Sequence, residues 1–167
     1  MRLRLTKQTE YALRALLWLA GPAAPPAGAA PAEGAAGGRG RQKAAAIAGA
    51  TGIPPVFAQR VLGQLQRRGF LDARAGRWGG YALVRPADRV SLLEVVEAVE
   101  GPLVTRTCVL REDACGAPGR TCVLHDAWRA GQDSLRTTLA GTTLAGEATL
   151  AGALTGGPVP AGAAGWD

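Results

Sequence analysis

AAAIAGATGIPPVFAQRVLGQLQRRGFLDARAGRWGGYALV, running from Ala44 to Val84, is the stretch whose reading decides the fold. Ala44 to Ala50 predicts a short helix around Ile47, and Thr51-Gly52-Ile53 a turn. Pro54 and Pro55 open a second helix, because proline is tolerated in a first helical turn, where its missing N–H had no partner to lose. Val56, Phe57, Val61, Leu62 and Leu65 give that helix its apolar stripe, with Phe57 expected in the core. Gln59, Arg60, Gln64, Gln66, Arg67 and Arg68 lie off or beside the stripe, and Gly69 caps the end. Helix, short glycine-containing turn, helix is the helix-turn-helix pattern. Phe70-Leu71 then begins a strand, Ala75 to Gly80 forms a tight turn, and Tyr81 to Val84 forms a second strand. A hairpin directly after a helix-turn-helix reads as a wing. Arg74, Arg77 and Arg85 flank it, placed for phosphates or the minor groove.

Outward from that unit, Thr6 to Ala20 predicts a first helix, with Leu5, Ala12, Leu13, Leu16, Leu17 and Ala20 at helical spacing and Pro22 ending it. Residues 21–43 are almost wholly Gly, Ala and Pro, closing on Arg39, Arg41 and Lys43, and read as a flexible linker. Downstream, Ser91 is an N-cap with Glu94 at the capping-box position, for a helix that Gly101-Pro102 stops after Glu100. A last helix is expected from about Val123 to Leu139, with Leu124, Ala127, Trp128 and Leu135 on its apolar side. A long terminal helix beyond a winged domain commonly pairs two subunits, and Trp128 would pack there. The tail repeats Thr-Leu-Ala-Gly at 138–141, 143–146 and 149–152, at changing intervals, so no regular solenoid is expected. The fold class is mainly α with a small β-wing: a winged helix-turn-helix domain plus a long dimerisation helix. Residues 1–89 form the DNA-binding domain with a flexible insertion at 21–43, residues 90–140 a ligand loop and dimerisation helix, and residues 141–167 a disordered tail.

A chain of 167 residues is one ordinary domain, or a small one with an extension. No apolar run approaches the roughly 20 residues that span a bilayer. Arg14 interrupts Ala12–Ala20, and Thr6, Glu10 and Arg14 give that segment the polar face of a surface helix rather than a signal peptide. A cytoplasmic protein without a membrane partner is expected. Residues 1–89 hold 14 Lys+Arg against 4 Asp+Glu, net +10, whereas residues 90–167 hold 5 against 9, net −4. A basic first half suggests a polyanion-binding unit, and double-stranded DNA fits it. On the second helix of the pair, Val56, Gln59 and Arg60 are the candidates for base edges, since residues near its start reach them most readily. Arg67 and Arg68 are candidates for phosphate, and Arg74 and Arg77 for wing contacts.

The second half carries Cys108, Cys115, Cys122 and His125, which are all the Cys and His in the chain. Sulfur and imidazole donors gathered in one short loop are what zinc or an iron–sulfur centre needs. Three Cys is an odd count that fits a disulfide framework poorly. Three thiolates want a fourth donor, and His125, three residues after Cys122, shares a helical face with it. The close Cys pairs of most zinc modules are absent, and free cytosolic thiols are the plain alternative. Cys108 or Cys122 with His125 could also be read as nucleophile and base. No orienting acid beyond Asp126 and no glycine-rich substrate loop supports that, so an enzyme is not expected.

With these residues in view, the chain resembles the bacterial IscR/NsrR regulators of the Rrf2 family over about residues 1–140, apart from 21–43. The resemblance is carried by Met1-Arg2-Leu3, Thr6-Lys7 and Tyr11 to Leu16 at the start. Ile47-Ala48, Gly52-Ile53-Pro54, Val61 to Leu65 and Gly69-Phe70-Leu71 match the helix-turn-helix, Gly76 to Leu83 the wing, and Val95 to Gly101 the helix before the cysteine loop. Ala75 stands where the family's wing usually has Arg, the linker is longer, and the cysteine spacing is slightly wider. The resemblance implies a homodimeric DNA-binding regulator, a repressor, controlled by a 2Fe–2S or 4Fe–4S cluster. That cluster would sense nitric oxide, redox state or iron–sulfur status. It implies His125 as fourth ligand, as in the assembly regulators, or Glu10, as in the nitric-oxide-sensing branch, where a carboxylate of the first helix reaches over from the other subunit. The alternative for Glu10 is an ion pair with Arg14 at i, i+4. A cluster-free regulator of the same fold, sensing oxidants through its thiols, is the other functional reading.

Overall fold

The structure, a computed structural model, describes residues 5–21, 39–103, 108, 110, 115–116 and 121–145. Helix α1 (Lys7–Ala20) starts after Thr6, whose hydroxyl accepts from the Thr9 N–H at 3.3 Å and so satisfies one of the free donors of the first turn. Its buried face, Ala12, Ala15, Leu16 and Leu19, packs on α2 (Ala44–Thr51) and α3 (Pro55–Arg67). Gly52 takes φ 67° between these two helices, a left-handed turn that costs a side-chain-bearing residue about 1–2 kcal/mol. The α3 stripe differs from the expected one at its start. Ala58, Val61, Leu62 and Leu65 are buried, whereas Val56 is 81% and Phe57 51% exposed. Phe57 lies one turn before Val61 on the same line. In that first turn α3 has outrun the core, and the Phe57 ring meets Tyr11 at 6.1 Å between centroids rather than being enclosed.

Gly69 and Phe70 turn the chain into β1 (Leu71–Arg74), which pairs antiparallel with β2 (Gly80–Leu83), from Leu71 opposite Leu83 to Arg74 opposite Gly80. Gln42 adds a third rung by exchanging backbone hydrogen bonds with Tyr81, at 2.8 and 2.7 Å. The wing turn demands its glycines. A Cβ on Gly79 would collide with the Arg74 and Ala75 carbonyls, and one on Gly80, at φ 138°, with the Gln42 carbonyl.

Residues 39–43 are therefore structure rather than linker. The Arg39 N–H bonds the Leu19 carbonyl at 3.0 Å, and its guanidinium lies 4.8 Å over the Trp18 ring. The flexible insertion expected over 21–43 loses its last five residues to the fold, and residues 22–38 lie outside the described ones.

After a turn at Ala87–Arg89 comes α4 (Leu92–Glu100), opened by the expected capping box between Ser91 and Glu94. Its Leu93, Val95 and Val96 are buried. Helix α5 (His125–Gly141) packs on α4, yet none of its 17 residues is buried. His125, Trp128, Gln132, Leu135 and Leu139 form a half-buried line along it. The chain then returns. The Leu92 N–H bonds the Thr142 carbonyl at 2.8 Å, the Leu144 N–H bonds the Val90 carbonyl at 3.0 Å, and the Leu144 side chain is 0% exposed in the main core. The tail expected to be disordered from 141 thus contributes a core residue, and from 146 onward it lies outside the described residues.

Candidate DNA-binding face and cysteine centre

The outward side of α3 carries the residues proposed for DNA. Val56, Gln59 and Arg60 are exposed on its first two turns, and Arg67 and Arg68 at its end. Among the described residues, Arg60, Arg67 and Arg68 enter no ion pair, and the sequence from Ile53 to Leu71 holds no acid to compete for them. Gln64, half-buried, is instead tied to Gln8 of α1 by a side-chain hydrogen bond.

The wing is braced from behind by Arg41 and Lys43, at the end of the expected linker. Arg41 donates to the Gly80 carbonyl at 2.9 Å, the Asp72 carbonyl at 3.2 Å and the Asp72 carboxylate at 2.5 Å, so one guanidinium ties both strands together. The Arg41 guanidinium holds the Asp72 carboxyl below the usual range. The Lys43 ammonium donates to the Gly76 carbonyl at 2.6 Å. At the tip Arg77 lies 5.3 Å from the centroid of Trp78, and Arg74, exposed, is 3.5 Å from Asp72. A run of cations closing a Gly/Ala/Pro stretch was the signal for this brace, because a linker has no use for Arg39, Arg41 and Lys43 in succession.

Cys108, Cys115 and Cys122 come together with all three sulfurs within 4.8 Å of one another. Cys108 is buried, the other two are half-buried, and all three are free of disulfides. Three atoms this close fit inside a sphere of about 2.8 Å radius, near the ~2.3 Å reach of a metal–thiolate bond. Backbone N–H groups point at sulfur: Leu110 donates to Cys108 at 3.5 Å, and Leu124 donates to Cys122. Partial burial pushes the Cys122 thiol up despite the Leu124 N–H, and the neighbouring Cys108 and Cys115 push it further. A thiol whose ionisation is hindered by two neighbouring sulfurs suits a cation, which would offset the thiolate charge. The donor set therefore fits a compact metal centre.

His125 begins α5, its N–H bonded to the Cys122 carbonyl at 3.0 Å. Its ring lies over Gly116, so close that a Cβ there would sit 2.8 Å from Cε1. The imidazole is thus beside the loop but outside the sulfur triangle. Glu10 pairs with Lys7 and with Arg14, each at 2.7 Å, and the Lys7 hydrogen bond above all holds its carboxyl below the usual range. Within the chain, the ion-pair alternative describes Glu10.

A hydrogen-bonded path runs from the end of α4 to the recognition helix. Glu100, the last residue of α4 before the cysteine loop, accepts from the Thr6 N–H at 2.7 Å and from the hydroxyl of fully buried Thr9. Its carboxylate therefore sits at the positive end of α1. Burial pushes its pKa up, but the Thr9 and Thr6 hydrogen bonds outweigh this and hold it below the ordinary value. The same α1 turn carries Gln8, bonded to Gln64 of α3. The end of α4, the first turn of α1 and the recognition helix are thus in direct contact.

Comparison with known proteins agrees with this architecture. The family pattern described as Rrf2, an iron-dependent transcriptional regulator, matches residues 5–146. The chain is 34% identical over 146 residues to a helix-turn-helix transcriptional regulator of Mycobacterium tuberculosis strain H37Rv, covering 86% of this chain and 80% of that protein. Among solved structures it resembles CymR, the global cysteine regulator of B. subtilis, with a TM-score of 0.66 at 20% identity, covering 88% of this chain and 97% of that one. It likewise resembles T. potens IscR, with a TM-score of 0.60 at 19% identity, covering 89% and 88%.

Proposed function

Because the chain belongs to the Rrf2 family of iron-dependent transcriptional regulators, and so is a DNA-binding regulator rather than an enzyme, we propose that it is a cytoplasmic, homodimeric repressor whose operator affinity is controlled by an iron–sulfur cluster. The observation that carries this reading is the gathering of the three Cys sulfurs within 4.8 Å, with no disulfide among them. Cys108, Cys115 and Cys122 would hold the cluster. His125, on the first turn of α5 beside Gly116 and outside the sulfur triangle, would be the first candidate for the fourth donor. Glu10 from a second subunit is the other candidate, and it would have to leave Lys7 and Arg14. When bound, the cluster supplies a group that reacts with nitric oxide or oxygen and is lost in iron shortage.

The chain's own residues turn that state into DNA affinity. With their sulfurs tied at one point, Cys108, Cys115 and Cys122 would be held as one unit next to the start of α5, and untied they would be independent of one another. Glu100 and Gln8 would carry a change there through α1 to Gln64 on the recognition helix. Val56, Gln59 and Arg60 read bases, Arg67 and Arg68 meet phosphates, and Arg74 and Arg77 contact DNA from the wing. Two copies joined along α5 would set two α3 helices on successive turns of a palindromic site.

A visible spectrum of protein purified without air, with iron and sulfide assays, tests the reading. Brown protein with matched iron and sulfide, bleached by nitric oxide or oxygen, is expected. Colourless protein that cannot be reconstituted would sink the cluster. The second reading, oxidant sensing by thiols alone, draws on the same geometry. An oxidant such as a peroxide would take two electrons from two of these sulfurs, whose protons leave as the disulfide forms. A colourless protein whose operator affinity follows disulfide formation would support it.

A further inference from the structure

We propose that Trp78 is an apolar wedge that enters the DNA at a base step flanking the site read by α3, an inference that rests on the operator-binding reading above. Trp78 is 86% exposed at the tip of the hairpin. A large aromatic side chain so fully in water does not serve the core and asks for a partner. The tip presents it on a firm mount. The Gly79 N–H bonds the Gly76 carbonyl at 3.1 Å, Lys43 holds that same carbonyl at 2.6 Å, and Arg41 ties both strands. Gly79 and Gly80 leave no room for the turn to take other side chains.

The surroundings select the occupant. From Ala73 to Ala87 the sequence contains Arg74, Arg77 and Arg85 and no acid, and Lys43 is added from behind. A protein-docking aromatic would sit among further apolar side chains. Here the neighbours on the turn are Ala75, Gly76, Arg77 and Gly79, so the indole stands as a single apolar tooth in a cationic rim. The guanidinium of Arg77, 5.3 Å from the ring centroid, can meet phosphate while the ring enters between bases. An inserted apolar side chain flanked by cations is how proteins unstack and bend a duplex from the minor groove. Flexible pyrimidine–purine steps accept this at the lowest cost in deformation, so Trp78 would add sequence preference at a position where no side chain hydrogen-bonds a base.

The test uses the full-length protein, with Trp78→Ala, Trp78→Phe and Arg77→Ala variants, on duplexes that the wild-type protein selects from a random pool. Because Trp78 touches no core residue, circular dichroism of all variants should match. Trp78→Ala is expected to bind about tenfold more weakly, with Trp78→Phe recovering most of the loss. Its plot of log affinity against log salt should keep the wild-type slope, whereas Arg77→Ala should flatten that slope by about one phosphate's worth. Exchanging the flexible step under the wing for a stiff one should shrink the gap between wild type and Trp78→Ala. If Trp78→Ala binds like wild type, or weakens equally at every step with a flattened slope, the wedge is wrong while operator binding stands. Indole emission already shielded without DNA would assign Trp78 to a protein contact and also overturn it. If the wild-type protein selects no duplex, the operator reading falls and this inference with it.

Discussion

Leu144 shows how much one residue can decide. It follows a Gly/Thr-rich stretch, beyond the last helix, yet it is as deeply enclosed as Leu16 or Leu62. Two backbone bonds, from Leu144 to Val90 and from Ala145 to Ala87, hold it there. Leu144→Ala should therefore cost about 2–5 kcal/mol of stability, the range for emptying a buried leucine site. Urea unfolding with the slope unchanged would measure it, and a loss under about 0.5 kcal/mol, the scale of surface substitutions, would show that the tail does not dock. Val56 and Phe57 make the reverse point. Both are apolar and on the helix's expected stripe, yet Val56 is 81% and Phe57 51% exposed, with the Phe57 ring meeting that of Tyr11 in α1. Hydrophobicity marked Phe57 as core, and position in the fold left it half in water, whereas Val56, a candidate for base contact, is exposed as that role needs.

At the scale of elements, the proposed coupling between the cysteine loop and the recognition helix runs through the junction of α1 with α4. Glu100 holds the first turn of α1 through Thr6 and Thr9, with its pKa below the ordinary 4.5. A carboxylate with a depressed folded-state pKa contributes stability that is fully present above the unfolded value and is lost as pH falls through the folded one. Stability should therefore decline as pH drops below 4.5, and Glu100→Gln should show a shallower acid limb with helix content at neutral pH retained. Thermal midpoints across that window provide the check, and parallel curves for the two proteins would remove Glu100 from the junction. The same variant should bring the ratio of operator affinities between cluster-loaded and metal-free protein towards one. Capping at this junction was legible only in part. The Ser91–Glu94 box announces itself by spacing, whereas Glu100 reaches across more than ninety residues to Thr6, and no local pattern encodes that.

The whole molecule raises the question of α5. Seventeen residues without one buried side chain cannot be held by α4 and the 4.0 Å Arg136–Glu97 pair alone. An amphipathic helix gains most of its stability from covering its apolar face. In the proposed homodimer, a second copy along the line of Trp128, Leu135 and Leu139 would supply that cover. Replacing Leu135 and Leu139 together by Glu should convert the dimer to monomer in sedimentation, and operator affinity should fall by at least about tenfold as the two half-sites are bound independently. A variant that stays dimeric would place the interface elsewhere. A cysteine variant completes the test at this scale. Cys115→Ala should yield protein that takes up no cluster and whose operator affinity is indifferent to iron and sulfide, and unchanged cluster content would remove Cys115 from the ligand set.

By itself the sequence determined the local grammar: the cap at Ser91, the proline-opened α3, the glycine-bound wing turn, and the short segment that holds every Cys and His in the chain. These follow from backbone sterics and short-range periodicity, which act within a few residues and so are written in order along the chain. Tertiary structure alone decided which of those pieces meet. It drew Arg41 onto both wing strands, Leu144 into the core, Glu100 onto the end of α1 and three sulfurs separated by six residues each into one triangle. It also left Trp78 standing in water. Such contacts arise from burying one shared apolar core, a sum over the whole chain that no single stretch contains.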